Sequence, residues 1–118
     1  MITQSMMLDM VPTKEPVKLY LSQNDENYTL IFSLFARMGT FTIQGSTAAA
    51  FVGTLPDGTS YRKPAHLVGT TVTVAGDSEM TAAAGQGVFE IELEHNGKYL
   101  HSSNVLICFE KTAMEENE

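Results

Sequence analysis

Three histidines, one cysteine and a row of alternating glutamates are the residues of this 118-residue chain whose chemistry could hold a metal or carry a reaction. His66, His95 and His101 show no HxH or HxxxH spacing, so no single strand or helix would aim two imidazoles at one ion. Cys108 stands alone in the apolar run NVLICFEK, where a thiol packs before it reacts. Glu90, Glu92 and Glu94 alternate with Phe89, Ile91 and Leu93 in VFEIELE and so share one face of a strand. A divalent cation could use three such carboxylates. The opposite face is wholly apolar, however, and the simpler expectation is that the glutamates form the solvated side of a sheet. Neither GTLPDGT nor GQG carries the Lys-Ser/Thr pair of a phosphate loop. The expectation is a non-enzyme with no catalytic, cofactor-binding or metal-ligating residues.

The elements around these residues read as short strands. VKLYLS (17–22) alternates Val17, Leu19 and Leu21 against Lys18, Tyr20 and Ser22, and YTLIFSLFA (28–36) is nearly continuous apolar sequence. Further strands are expected at 41–43, 47–54, 65–68, 70–76 and 88–94, with a return through KYLHS into 104–111. PDGT (56–59) and Asn96-Gly97 are turn signatures, the second demanding positive φ at both central residues of a type I′ hairpin. Seven or eight strands, with no amphipathic helix beyond about two turns, predict an all-β, immunoglobulin-like Greek-key sandwich. GDSEMTAAAGQG (76–87) is too weak for a strand. It is expected to arch between sheets, with one short helical turn near 78–84 and Gly85 and Gly87 turning the chain down into VFEIELE.

Composition removes several function classes. With 43% hydrophobic and 18% charged residues the chain reads as one globular domain. Acidic residues outnumber basic ones 14 to 7, which leaves too few cations for a nucleic-acid surface. One cysteine cannot make an internal disulfide. The first 16 residues have no basic residue before Lys14 and no sustained apolar core, so neither a secretory signal nor a membrane partner is expected. The domains expected are an N-terminal arm (1–16), the sandwich (17–111) and an acidic tail (112–118). Within the arm Met6, Met7, Leu8, Met10 and Val11 form an adaptable apolar segment that suits docking on a partner, or covering an edge of its own sheet. Without residues 1–12 the chain is expected to remain a folded monomer that no longer assembles.

In order and spacing, the TLPDGT turn, the run VTVAGDSEMTAAAGQGVFEIEL, the NGK turn and the EKTAM exit resemble the N-terminal immunoglobulin-like domain of phage baseplate upper proteins. VKLYLSQNDENYTLIFSLF fits the opening half, so the resemblance covers roughly residues 17–114. It implies a virion protein, made in the host bacterial cytoplasm, that anchors an appendage at the tail baseplate or fibre. Other virion proteins are then its partners, and a homo-oligomer, often threefold, its assembly. In that family a linker helix and a distal receptor-binding region follow; these 118 residues end before one, which makes anchoring or decoration the expectation over receptor recognition. A head fibre or head-decoration protein is the alternative location. A carbohydrate-binding module is a third reading, disfavoured because Trp is absent and Tyr20, Tyr28, Tyr61 and Tyr99 are dispersed in sequence.

Overall fold

Phe32, Phe51, Phe89 and Phe109 are all buried, and the strands around them are those whose alternation turns one aromatic inward. Phe32 stacks on Phe51 at 5.5 Å between ring centroids, and Phe51 on Phe89 at 5.0 Å. Phe109 and Tyr61 meet the edges of Phe89 at 6.3 and 5.9 Å. Offset and edge-on contacts of this kind are the favoured aromatic geometries. A computed structural model describes residues 1–13 and 15–113 and places nine strands around this column. They are β1 (Ile2–Asp9), β2 (Val17–Ser22), β3 (Tyr28–Phe35), β4 (Ala48–Thr54), β5 (Ser60–Val68), β6 (Thr71–Ala75), β7 (Gly85–His95), β8 (Lys98–His101) and β9 (Val105–Glu110). The acidic tail expected at 112–118 lies outside the described residues except for Thr112 and Ala113.

The chain is all-β, but its strands follow one hydrogen-bonded path, β1-β3-β6-β5-β4-β7-β9-β2, with β8 attached to β7. β5 is the reason. Its residues 60–65 pair with β4 and residues 66–68 pair with β6, so one strand belongs to both faces. The two terminal strands then approach one another. Gln4 Nε2 donates to the Tyr20 carbonyl at 3.1 Å, and beside them Ser103 N, in the β8–β9 connection, donates to the Asp9 carbonyl at 2.9 Å. The sheet is nearly closed, which leaves few unpaired edge groups.

Several expectations change. Residues 2–9 of the expected arm are β1, paired in parallel with β3 over eight residues, because Leu8 and Met10 are apolar enough to fill the core. Residues 41–43 are not a strand; Phe41 and Ile43 pack half-buried against the core from a loop. β5 starts five residues before the expected 65 and runs through Pro64, which pairs with Ala50 two residues before the strand takes β6 as its partner. Gly85 and Gly87 lie inside β7. Asn96 and Gly97 adopt φ of 52° and 78°, as a type I′ hairpin requires.

The arch contains turns at 78–81 and no helix, and it is tied at Asp77, Thr81 and Ala82 to neighbouring segments. Asp77 Oδ1 accepts from Met80 N at 2.9 Å, while its Oδ2 accepts from Tyr61 Oη at 3.0 Å and Lys63 Nζ at 3.1 Å. Tyr28 Oη reaches the Asp77 carbonyl at 3.2 Å. Thr81 Oγ1 donates to the Asp25 carbonyl and the Thr81 carbonyl accepts from Asn24 N, joining the arch to the β2–β3 turn. Burial pushes the Asp77 carboxyl up, but hydrogen bonds from Met80 N–H, Lys63 and Tyr61 outweigh it and hold the group below the usual carboxylate range. Burial raises the Tyr28 hydroxyl to about 12 and raises Tyr61 further, helped by the Asp77 carboxylate, so both stay protonated as donors. At the opposite end Asp9 plays a matching part. Its Oδ1 accepts from Val11 N and Arg37 N, fixing the chain after β1 to the chain after β3.

Two predictions follow from this packing. Gly53 lies opposite Phe89, and a Cβ there would collide with the Val88 carbonyl oxygen and come within 2.7 Å of Phe89 Cα. Backbone cannot yield as a side chain does, so Gly53→Ala is expected to cost at least about 2 kcal/mol in urea unfolding. Asp77 has a lowered folded pKa, so its contribution is complete above the unfolded value near ~4 and disappears as pH falls through the folded value. Asp77→Asn is expected to lose about 1–3 kcal/mol at neutral pH, with the gap from wild type closing below about pH 4 in denaturation series.

Candidate functional site

Strand alternation turns Glu90, Glu92 and Glu94 to the outer face of β7, where β4 flanks them on one side and β8 on the other. The resulting surface is not simply solvated. Arg62 reaches over from β5, across β4, and sets its Nη2 2.6 Å from Glu92 Oε1. His101, paired with Glu92 across β8, sets its Nε2 3.0 Å from Glu92 Oε2 and 3.8 Å from Glu90 Oε2. These neighbours leave the Glu92 side chain only 12% exposed. The Arg62 hydrogen bond is the main influence on the Glu92 carboxyl; against burial, and with help from His101, it holds the group below the usual range. Both carboxylate oxygens are therefore engaged. Glu92 could serve as a base or a metal ligand only by giving up a guanidinium, and its geometry is that of a clamp joining β5, β7 and β8. Glu94 is engaged as well, accepting from Gly97 N at 2.7 Å and closing the β7–β8 hairpin.

The remaining residues singled out by type stay apart. His66 is exposed on β5 opposite Thr73, and Cys108 is half-buried on β9 opposite Tyr20 and Gln86. His95 Nε2 lies 3.2 Å from Asn96 Nδ2, and its Nδ1 is buried with no hydrogen-bond partner among the described residues. Among those residues no three of His, Cys, Asp and Glu gather as a metal-ligand set. Asp57 closes its own turn by accepting from Thr59 N and Oγ1. Arg62 is the member of the clamp that the sequence hid. It stands in SYRKP, where Pro64 masks a strand, although its place two residues before the proline puts it on the outer face once β5 is drawn.

The five apolar residues of the expected docking arm divide by strand face. Leu8 and Met10 are buried and Met6 packs partly buried against the core, so these three are committed to the domain's own interior. Met7 and Val11 remain exposed. Met7 continues a cross-strand row, Met7–Ser33–Thr71–Val68, on the outer face of β1, β3, β6 and β5. Phe35, Val11 and the tip residue Met38 are exposed at the same end of the molecule, where Arg37 ties their loops together through Asp9 and the Pro12 carbonyl. A discontinuous apolar surface thus replaces the contiguous segment.

No family model matches the sequence, and no curated protein matches it. Among solved structures the chain is similar to the N-terminal domain of phage TP901-1 ORF48, with a TM-score of 0.70 and 10% identity over 94% of this chain and 100% of that one. At that identity the likeness establishes the fold: this chain is built as that phage domain is built.

Proposed function

We propose that the chain is a non-enzymatic structural protein of a phage or prophage virion, an anchoring domain of the tail baseplate or fibre that works through protein–protein contacts. The observation that carries this reading is the shared fold with the N-terminal domain of a phage protein over essentially the whole of both chains. The resemblance of residues 17–114 to the N-terminal domain of baseplate upper proteins supports the same reading independently. On this view the fold is a variant of the immunoglobulin-like sandwich in which β5 carries the chain from one face to the other.

The docking surface we assign is the end marked by Asp9. Met38 is 99% exposed there, Val68 63% and Met7 59%, an apolar set that water covers poorly and a neighbouring virion protein would cover well. Met38 also holds a φ of 59°, a backbone state a non-glycine residue keeps only when its loop is held from elsewhere. Arg37, bonded to Asp9 and Pro12, holds it. The chain assembles as a homo-oligomer around this contact, threefold in the arrangement the family resemblance implies.

This reassigns the role of the first residues. Removing β1 uncovers the core beside Leu8, so deletion of residues 1–12 is expected to unfold the domain instead of releasing a monomer. The sharper test changes only exposed residues. Met7→Asp, Met38→Asp and Val68→Asp together are expected to leave the thermal midpoint unchanged and to reduce incorporation into particles at least about tenfold. Incorporation at the wild-type level would overturn the assignment. Gold labelling of wild-type particles then places the protein on tail or head.

A further inference from the structure

Of the four tyrosines, Tyr28 and Tyr61 are buried and bonded to the arch, while Tyr99 is 59% exposed on β8 between two adjoining hollows. The larger hollow, about 310 Å³, opens between the loop 41–47 and the β7–β8 hairpin, within the usual range for a small-molecule site. Its apolar part comes from Phe41, Ile43 and Leu93, and its polar part includes Gln44, Thr47 and His95, the histidine whose Nδ1 is buried and unpartnered among the described residues. The smaller hollow, about 150 Å³, lies on the other side of Tyr99. It is left open by the short side chains of Ala48 and Ala50 and walled by Arg62 and Glu92. Tyr99 and Glu94 border both.

We infer that this pair of hollows binds a saccharide of two or more pyranose rings, straddling Tyr99. The chemistry on each side fits such a ligand. A pyranose ring presents an apolar C–H face and a rim of hydroxyls, and an exposed phenol ring is the surface on which such a face stacks. Glutamine, threonine, carboxylate and guanidinium groups then meet the hydroxyls as acceptors and donors in fixed positions. The Arg62–Glu92 clamp matters here because it holds those two groups rigid before any ligand arrives, so little side-chain freedom is lost on binding. The opening of both hollows to solvent suits a chain that continues past the site. Dispersion of the tyrosines along the sequence counted against a carbohydrate site; folding brings Tyr99 beside Phe41, 58 positions away in the chain, and supplies the platform.

The site lies on the β7–β8 side and shares none of the residues assigned to docking, so the two readings fail separately. The test is amide NMR of the 118-residue chain titrated with cellobiose, maltose and N,N′-diacetylchitobiose at millimolar concentration. Saturable shifts confined to residues 41–50 and 92–101 are expected with at least one disaccharide. Tyr99→Ala is expected to weaken that binding about tenfold, Tyr99→Phe to retain it, and Tyr20→Ala, which removes the other exposed tyrosine, to leave it unchanged. Should Tyr99→Ala disturb the hairpin, Glu94→Gln keeps an acceptor for Gly97 N and is expected to weaken binding several-fold on its own. Absence of saturable shifts with all three sugars, shifts centred on Tyr20, or full affinity in Tyr99→Ala would each overturn the inference.

Discussion

β5 pairs with β4 through its first six residues and with β6 through its last three, and the closure of the molecule depends on that division. A sheet that stopped at β4 on one side and at β6 on the other would leave two more ladders of unpaired amides and carbonyls exposed to water and to other chains. Because β5 bridges them, the path ends at β1 and β2, which approach each other across Gln4 and Tyr20, and β8 is the other strand paired on one side only. Pro64 pairs with Ala50 two residues before that change, in the stretch where β5 has a partner strand on one side only. A proline paired on both sides would cost a ladder hydrogen bond; on a one-sided stretch its missing donor can face away from the ladder. The same passage brings Tyr61 and Lys63 to the arch and Arg62 to the opposite surface. One strand therefore supplies the anchor of Asp77 on one side and the clamp on Glu92 on the other.

What the sequence made legible and what it concealed divide along physical lines. β2, β3, β7 and β9 are readable because their inward positions are consistently apolar, and Asn96-Gly97 is readable because few residue pairs accept two positive φ values. β1 carries the same period of two in Met6, Leu8 and Met10, but Met7 on the outward side blurs it into an apolar run that resembles a sticky arm. Residues 41–43 present the reverse case. Phe41 and Ile43 have strand-like alternation and are drawn to the core, yet they meet no ladder and remain a loop. Local pattern reports which side chains seek burial. It does not report whether a neighbouring backbone is available to pair with them.

The arch shows the same limit. Three alanines and a methionine favour a helical turn, but here the Thr81 and Ala82 carbonyls accept from Asn24 N and Gln23 Nε2, the Thr81 hydroxyl donates to the Asp25 carbonyl, and Met80 N donates to Asp77 Oδ1. Tertiary partners outweigh propensity because the segment is too short for helix formation to repay its nucleation. The glutamate row was legible as a shared face and illegible as a clamp, since Arg62 and His101 arrive from strands 30 and 9 residues away. A cross-strand neighbour is a property of register, and register is settled by the whole sheet.

Charge follows the long axis of the strands, and this bears on how the molecule meets others. The end that carries the arch holds Asp25, Glu26, Asp57, Asp77, Glu79 and Glu110 against Lys63, which pairs with Asp77, and Lys111, whereas the Asp9 end mixes Asp9, Glu15 and Glu94 with Arg37 and Lys98 among exposed apolar groups. With a formal net charge of −7, two copies approaching through their arch ends would bring carboxylates together within a Debye length, at a cost that salt only partly removes. Approach through the other end brings together surfaces of nearly balanced charge, and the apolar gain is not opposed. For the docking proposed above, the acidic pole would therefore orient the approach, leaving the Asp9 end as the less opposed face. An apolar surface alone would permit many encounters; in the association proposed above, the uneven placement of the carboxylates is what would narrow them to one end of the strands.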